Sequence, residues 1–179
     1  MREFTDLSAY YALDPAEMAR TVLHCPLCGS EHPIPFGVVR HGVDLLAELP
    51  EIIGLILGST PPNIGVIYDR QIKTKLEGLF FEPIDRFGLT YQRFPVDEVG
   101  RLLVAEIELG DRVAAQLPPE INLLIGVGSG VITDLTKWIA TRAGLPFIVV
   151  GTAVSMNAYT SITGSMTENN SKTSKFLNP

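Results

Sequence analysis

Cysteine is scarce. The 179 residues hold two, Cys25 and Cys28, and a single tryptophan, Trp138. The N-terminus, Met1-Arg2-Glu3-Phe4-Thr5-Asp6, carries charges where a signal peptide needs an apolar run. Two cysteines in such a chain read as thiols or metal ligands rather than as a disulfide. The same N-terminus makes the cytoplasm the expected location. Basic charge is also short, with 14 Lys and Arg against 20 Asp and Glu and a net charge of −6. An acidic surface repels phosphate backbones, which excludes nucleic acid as the expected partner. No run reaches the ~18 uninterrupted apolar residues of a membrane span. Charged residues make up only 19% against 46% apolar, so the chain has a core to build and does not read as disordered. Internal repeats and low-complexity tracts are missing. One well-buried domain, with a small appendage, fits the length.

What is present is alternation. Residues 1–33 read as irregular, with one short helix from Pro15 that Asp14 caps. Ile34–Arg40 reads as a strand and Val43–Leu49 as a helix. Asn63–Tyr68 is a short apolar strand closed by Asp69, and Gln71–Phe81 a helix. Thr90–Pro95 is a strand, followed by a long helix from Asp97 to about Ala115 that Pro118 and Pro119 stop. Ile121–Val127 is continuously apolar, as expected of a strand buried on both faces. Val131–Ala143 is a helix with Gly144 as its stop, and Leu145–Val150 a further strand. Thr160–Thr167 and Thr173–Leu177 pair as a hairpin around Glu168-Asn169-Asn170-Ser171. Strand-helix alternation of this kind predicts an α/β domain at 34–160 with a Rossmann-like, mostly parallel sheet flanked by helices, and 161–179 as a hairpin or tail. Ligands in such sheets sit outside the carboxyl ends of the strands, where the loops after Val127 and Val150 both lie.

The first of these loops is Gly126-Val127-Gly128-Ser129-Gly130, running into a helix. Glycines admit close backbone approach and positive φ, and the free N–H groups of the following helix favour an anion such as a pyrophosphate. No Gly-Lys-Ser/Thr follows, so this is not a Walker motif. Thr133 stands where the third glycine of a Gly-x-Gly-x-x-Gly fingerprint would be. A tight turn without a ligand is the plainer alternative. Asp69, at the end of an apolar strand, suits a ribose hydroxyl of NAD or simply a helix cap.

Gly128-Ser129-Gly130-Val131-Ile132-Thr133-Asp134-Leu135-Thr136-Lys137, taken with Thr152-Ala153-Val154-Ser155-Met156-Asn157-Ala158-Tyr159-Thr160-Ser161, resembles the sn-glycerol-1-phosphate dehydrogenases. These group with glycerol dehydrogenases, iron-containing alcohol dehydrogenases and 3-dehydroquinate synthases. The resemblance implies that Gly128, Ser129, Gly130, Val131 and Ile132 hold the pyrophosphate of NAD or NADP. It implies a second cofactor loop at Thr152, Ala153, Val154 and Ser155, and a cofactor contact at Ser161. Asp69 matches an acidic position near the adenosine ribose, and its carboxylate favours NAD over NADP. Asp134 and Lys137 match a pair near the nicotinamide. Three residues apart, they share a helix face; without the resemblance they read as a solvent-facing ion pair worth little.

Two departures accompany the match. Asn157 stands where the family has a substrate-contacting aspartate, and an amide cannot take up a proton as a carboxylate can. The family's divalent metal, expected to be zinc, is held by one Asp and two His in a helical C-terminal domain, beyond residue 179. The resemblance therefore implies the cofactor-binding half of a longer enzyme, with no catalytic metal ligands on this chain, which alone would be inactive. The expected reaction is NAD(P)-dependent interconversion of glycerol 1-phosphate and dihydroxyacetone phosphate, by a homo-oligomer. Another polyol dehydrogenase, a 3-dehydroquinate-synthase-like enzyme, a non-catalytic nucleotide-binding module and a dimerising scaffold are the alternatives.

The Cys25-x-x-Cys28-Gly29-x-x-His32 segment resembles the start of bacterial members. Cys-x-x-Cys-Gly is a common zinc knuckle, and His24 or His32 could complete a tetrahedron. No second knuckle exists, however, and the spacing favours two reduced thiols in a surface loop over a structural site at Cys25, Cys28 and His32. Trp138 and Tyr159 read as packing residues, the tyrosine with a wet hydroxyl.

Overall fold

The computed structural model describes residues 2–6, 8–9, 13–19, 21–33, 36–97, 102–153 and 159–177. It divides into two compact units, Met1–Ile52 and Ile53–Pro179.

The first unit contains strands β1 (Arg2–Phe4), β2 (Thr21–His24) and β3 (Glu31–Pro33) and helix α1 (Pro15–Met18). The strands form one sheet in the order β1-β2-β3, with β1 parallel and β3 antiparallel to β2. The described residues of 1–33 are therefore not irregular: strands of three and four residues are too short to display an alternating pattern. Asp14 caps α1 as expected. Its carboxylate accepts from the N–H groups of Ala16 and Glu17 at 2.8 and 3.0 Å, and Glu17 accepts from the Asp14 N–H at 3.2 Å, closing a capping box. Phe36–Arg40 forms no strand, and Ile34 and Pro35 lie outside the described residues. Proline and glycine in that stretch remove a ladder donor and a side chain to pack. The helix expected at Val43–Leu49 is a 3₁₀ turn at Leu45–Glu48 that continues as α2, Leu49–Leu57. Pro50 sits in the first turn of α2, where its missing N–H costs nothing, so it does not stop the helix.

The second unit is built on four parallel strands: β4 (Ile64–Asp69), β5 (Tyr91–Val96), β6 (Leu123–Gly128) and β7 (Phe147–Gly151), in the order β5-β4-β6-β7. A helical arm joins β4 to β5: a 3₁₀ turn at Arg70–Ile72, α3 (Lys73–Leu76), a π-helical turn at Glu77–Phe81 and α4 (Glu82–Arg86). Helix α5 (Ile107–Gln116) precedes β6, and α6 (Gly130–Ala143) links β6 to β7. Hairpin β8 (Thr163–Glu168) and β9 (Ser171–Phe176) closes the unit. Its turn, Asn169-Asn170, has φ of 49° and 62°, the left-handed pair that a two-residue hairpin loop demands. This is the α/β, parallel-sheet fold that the alternation predicts.

Alternation along β4 sends its side chains to two layers. Tyr68 meets Phe81 of the arm edge-on, with ring centroids 5.2 Å apart, and Phe81 stacks on Tyr91 at 5.9 Å. The Arg93 guanidinium lies 3.8 Å from the Phe81 ring centre. Ile67 faces the other way, into a cluster with Leu124, Ile107, Val113, Ile132, Leu135 and Ile139, supplied by β6, α5 and α6. Trp138 packs on Gly110 between α5 and α6, and its indole N–H donates to Asp111 at 2.9 Å.

The helix expected from Asp97 begins only at Ile107. Residues 98–101 lie outside the described ones, and 102–105 have no regular structure. The Ala105 carbonyl accepts from the Thr167 N–H at 2.7 Å, and Glu106 bridges Thr167. A partner distant in sequence takes that backbone, overriding its helical pattern.

Strand order fixes where a ligand belongs. The chain leaves β4 toward β5 on one side and leaves β6 toward β7 on the other. The crevice outside the carboxyl ends of β4 and β6 is therefore a topological switch point. Asp69 ends β4 there and Gly128 ends β6.

Candidate functional site

Helix α6 starts at Gly130, with Ser129 as its N-cap in extended conformation and exposed. The Ser129 side chain makes no cap hydrogen bond. The first helical bond is the Thr133 N–H to the Ser129 carbonyl at 3.0 Å, and the Thr133 hydroxyl donates to the same oxygen at 3.2 Å. The opening N–H groups of a helix have no intrahelical acceptor, and they carry the positive end of the helix dipole. These N–H groups lie at the switch point, at the carboxyl end of β6.

Gly126 and Gly128 have a role other than the positive φ expected of them, since neither adopts it. A Cβ at Gly126 would strike the side chain of Thr136, and one at Gly128 would lie 2.7 Å from Ile132. Both lie on the face of β6 that α6 covers. Lacking side chains, they let α6 settle directly on the strand. The third glycine of the usual fingerprint serves that packing from the helix side. Here strand glycines serve it, which leaves position 133 for a buried threonine that braces the turn.

The second loop leaves β7 beside the first. Gly128 pairs with Gly151 in the ladder, and the Thr152 N–H donates to the Gly128 carbonyl at 3.0 Å. Tyr159 folds back over this loop: its hydroxyl donates to the Ala153 carbonyl at 2.8 Å, and a Cβ at Gly151 would lie 2.5 Å from its ring. The tyrosine is thus a packing residue, as expected, but its hydroxyl holds backbone rather than water. Val154, Ser155 and Asn157 lie outside the described residues.

Asp69 accepts from the Gln71 N–H at 2.8 Å and caps the 3₁₀ turn that follows. The cap fixes its rotamer at the end of β4. Arg70 next to it pairs with Asp97 at 2.7 Å.

Asp134 and Lys137 are not a solvent-facing pair. Lys137 is 1% exposed and Asp134 8%. The Lys137 ammonium donates to the Ser161 carbonyl at 2.7 Å and to the Thr163 carbonyl at 3.4 Å, which ties α6 to the chain entering β8. Burial pushes the Asp134 carboxyl above its ordinary range, against the Ser165 N–H and the charge of Lys137, which lower it. Burial likewise holds the Lys137 ammonium below its usual value. One Asp134 oxygen, Oδ1, is buried without a hydrogen-bond partner. The Ser161 hydroxyl shares a 2.8 Å hydrogen bond with that of Thr163 and accepts the Thr163 N–H at 3.0 Å, a local turn. The sequence signals Asp134 and Lys137 only as sharing a face. It gives no sign that the β8 hairpin covers that face.

Cys25, Cys28 and His32 come together in the first unit, with their ligand atoms all within 4.8 Å of one another. The Cys28 sulfur lies 3.1 Å from His32 Nε2, and that hydrogen bond pulls the thiol down to about 6. His24 is not with them: its ring nitrogens lie 3.4 Å from Glu3 and from Glu31. Among the described residues no other group of three His, Cys, Asp or Glu side chains gathers with metal-binding spacing.

Residues 40–178 match the family model described as iron-containing alcohol dehydrogenase. Glycerol-1-phosphate dehydrogenase [NAD(P)+] of Geobacillus stearothermophilus is 25% identical over 138 residues, covering 75% of this chain and 33% of that protein. The protein of the same name from Methanosarcina barkeri is 48% identical over 58 residues, 32% of this chain and 16% of that one. The crystal structure of glycerol dehydrogenase from Schizosaccharomyces pombe superposes with a TM-score of 0.61 at 22% identity, over 75% of this chain and 33% of that chain. The chain thus spans about a third of the length of relatives that it matches along most of its own. A family match across 40–178, on a four-stranded parallel sheet, places the chain among the iron-containing alcohol dehydrogenases.

Proposed function

We propose that this chain supplies the nucleotide-binding part of an NAD(P)-dependent dehydrogenase that interconverts sn-glycerol 1-phosphate and dihydroxyacetone phosphate, acting in the cytoplasm as a homo-oligomer. The carrying observation is the uncapped N-terminus of α6 at the topological switch point, brought against β6 by Gly126 and Gly128. The names of the matched relatives support the substrate. In this reading the backbone from Gly128 to Ile132 cradles the pyrophosphate, Asp69 receives a ribose hydroxyl, and Thr152–Ser155 lies along the opposite side of the cofactor. Asp69 favours NAD, since its charge repels a 2′-phosphate. Lys137 acts from beneath, holding the Ser161 segment against α6, with Asp134 beside it on the same helix face. The nicotinamide supplies the hydride, while the protein orients it and excludes water.

The test is an assay of the enzyme extended to the length of its relatives. The expected result is oxidation of NADH or NADPH that depends on dihydroxyacetone phosphate and is several-fold slower with dihydroxyacetone. Equal rates with the two ketones would overturn the phosphate-ester assignment. A second reading rests on Asn157, where the family has aspartate: a nucleotide-binding protein without turnover. An inactive parent that gains activity in Asn157→Asp would favour it.

A further inference from the structure

We propose that Cys25, Cys28 and His32 bind one zinc ion, independently of the nucleotide site. Zinc lies about 2.3 Å from thiolate sulfur and about 2.0 Å from imidazole nitrogen, so tetrahedral ligand atoms stand roughly 3.5 Å apart. The three ligand atoms here lie within 4.8 Å of one another, with the Cys28 sulfur 3.1 Å from His32 Nε2. Shifts of about an ångström gather them around an ion.

The scaffold that brings them together needs no metal. Cys25 follows β2 and His32 lies within β3, and the two strands are in antiparallel register, His24 opposite Glu31. The Cys25 N–H donates to the Ser30 carbonyl and the Gly29 N–H to the Cys25 carbonyl, both at 2.9 Å. Gly29 takes φ of 70°, the left-handed conformation that closes the knuckle after Cys28. Two sulfurs and an imidazole suit borderline-soft zinc, not magnesium or calcium, which take oxygen. Binding displaces the thiol protons to solvent. Cys28 and His32 are exposed, so solvent fills the fourth position. The ion clips β2 to β3, in a sheet whose strands are only three and four residues long.

The full chain, reduced and stripped of metal, is titrated with zinc, and the bound metal is measured. The expected result is one equivalent per chain, with affinity falling more than about 100-fold in Cys28→Ser and in His32→Ala, beyond the loss of an outer-shell partner. Cobalt added to the unaltered chain gives a second readout that needs no variant to fold: a thiolate-to-cobalt charge-transfer band. Absence of stoichiometric zinc, affinity unchanged in Cys28→Ser, or a cobalt spectrum without that band would each overturn the proposal.

Discussion

Replacing Lys137 by methionine lowers the stability of the second unit by about 3–5 kcal/mol, read as a fall in its urea midpoint. The side chain is 1% exposed, and its ammonium serves the carbonyls of Ser161 and Thr163. Methionine keeps the volume, so the cost is electrostatic. It strands two carbonyls and leaves Asp134 with one charge fewer to balance it. The double variant Asp134→Asn/Lys137→Met removes the uncompensated charge and recovers about half of the loss. Strict additivity of the two single changes would contradict coupling through the pair.

The Lys137→Met effect also depends on pH, with a definite sign. Burial raises the native Asp134 pKa above its unfolded value. Such a group favours the native state below the unfolded pKa, and that contribution is lost as pH rises through the native one. Without Lys137 the native value rises further. The stability gap between Lys137→Met and the parent therefore widens from the ordinary carboxylate range toward neutrality and narrows on acidification. A gap that stays constant with pH would assign the loss to the stranded carbonyls instead, since carbonyls do not titrate.

Replacing Ser129 by aspartate separates the phosphate reading from a plain turn. Ser129 is exposed at the N-cap and caps nothing with its side chain. An aspartate there accepts a helix N–H and complements the dipole, stabilising the fold by about 0.5–1 kcal/mol. The same charge faces the phosphates. Unit charges about 4 Å apart interact by roughly 4 kcal/mol at an effective dielectric near 20, and exposure screens part of that. Ser129→Asp thus melts no lower than the parent and binds NADH about 100-fold more weakly. Substitution of Gly128 is a poorer probe, because any Cβ there lies 2.7 Å from Ile132 and disturbs the strand-helix contact itself. A Ser129→Asp variant with unchanged affinity would mean that no phosphate sits on the α6 N-terminus.

Much of this site was legible in the sequence because its signals are local. The apolar run into Gly126–Gly130 marks a buried strand feeding a helix, and β6 and α6 fall within two residues of that expectation. The hairpin turn at Asn169-Asn170 is equally local. What escaped depends on partners far along the chain. The 102–106 backbone is extended because β8 takes its hydrogen bonds. Asp134 and Lys137 show their common face in their spacing, but only the hairpin decides that the face is buried. The work of Gly126 depends on Thr136, ten residues on, which lies where a Cβ would point. The first sheet escaped for the opposite reason, its strands being too short to carry a period.

The central claim, that α6 and β4 frame a dinucleotide, is tested most directly by calorimetric titration of NADH and NADPH into the purified chain. Saturable binding of one equivalent, tighter for NADH because of Asp69, is the predicted result. The absence of a saturable heat with either nucleotide would contradict it.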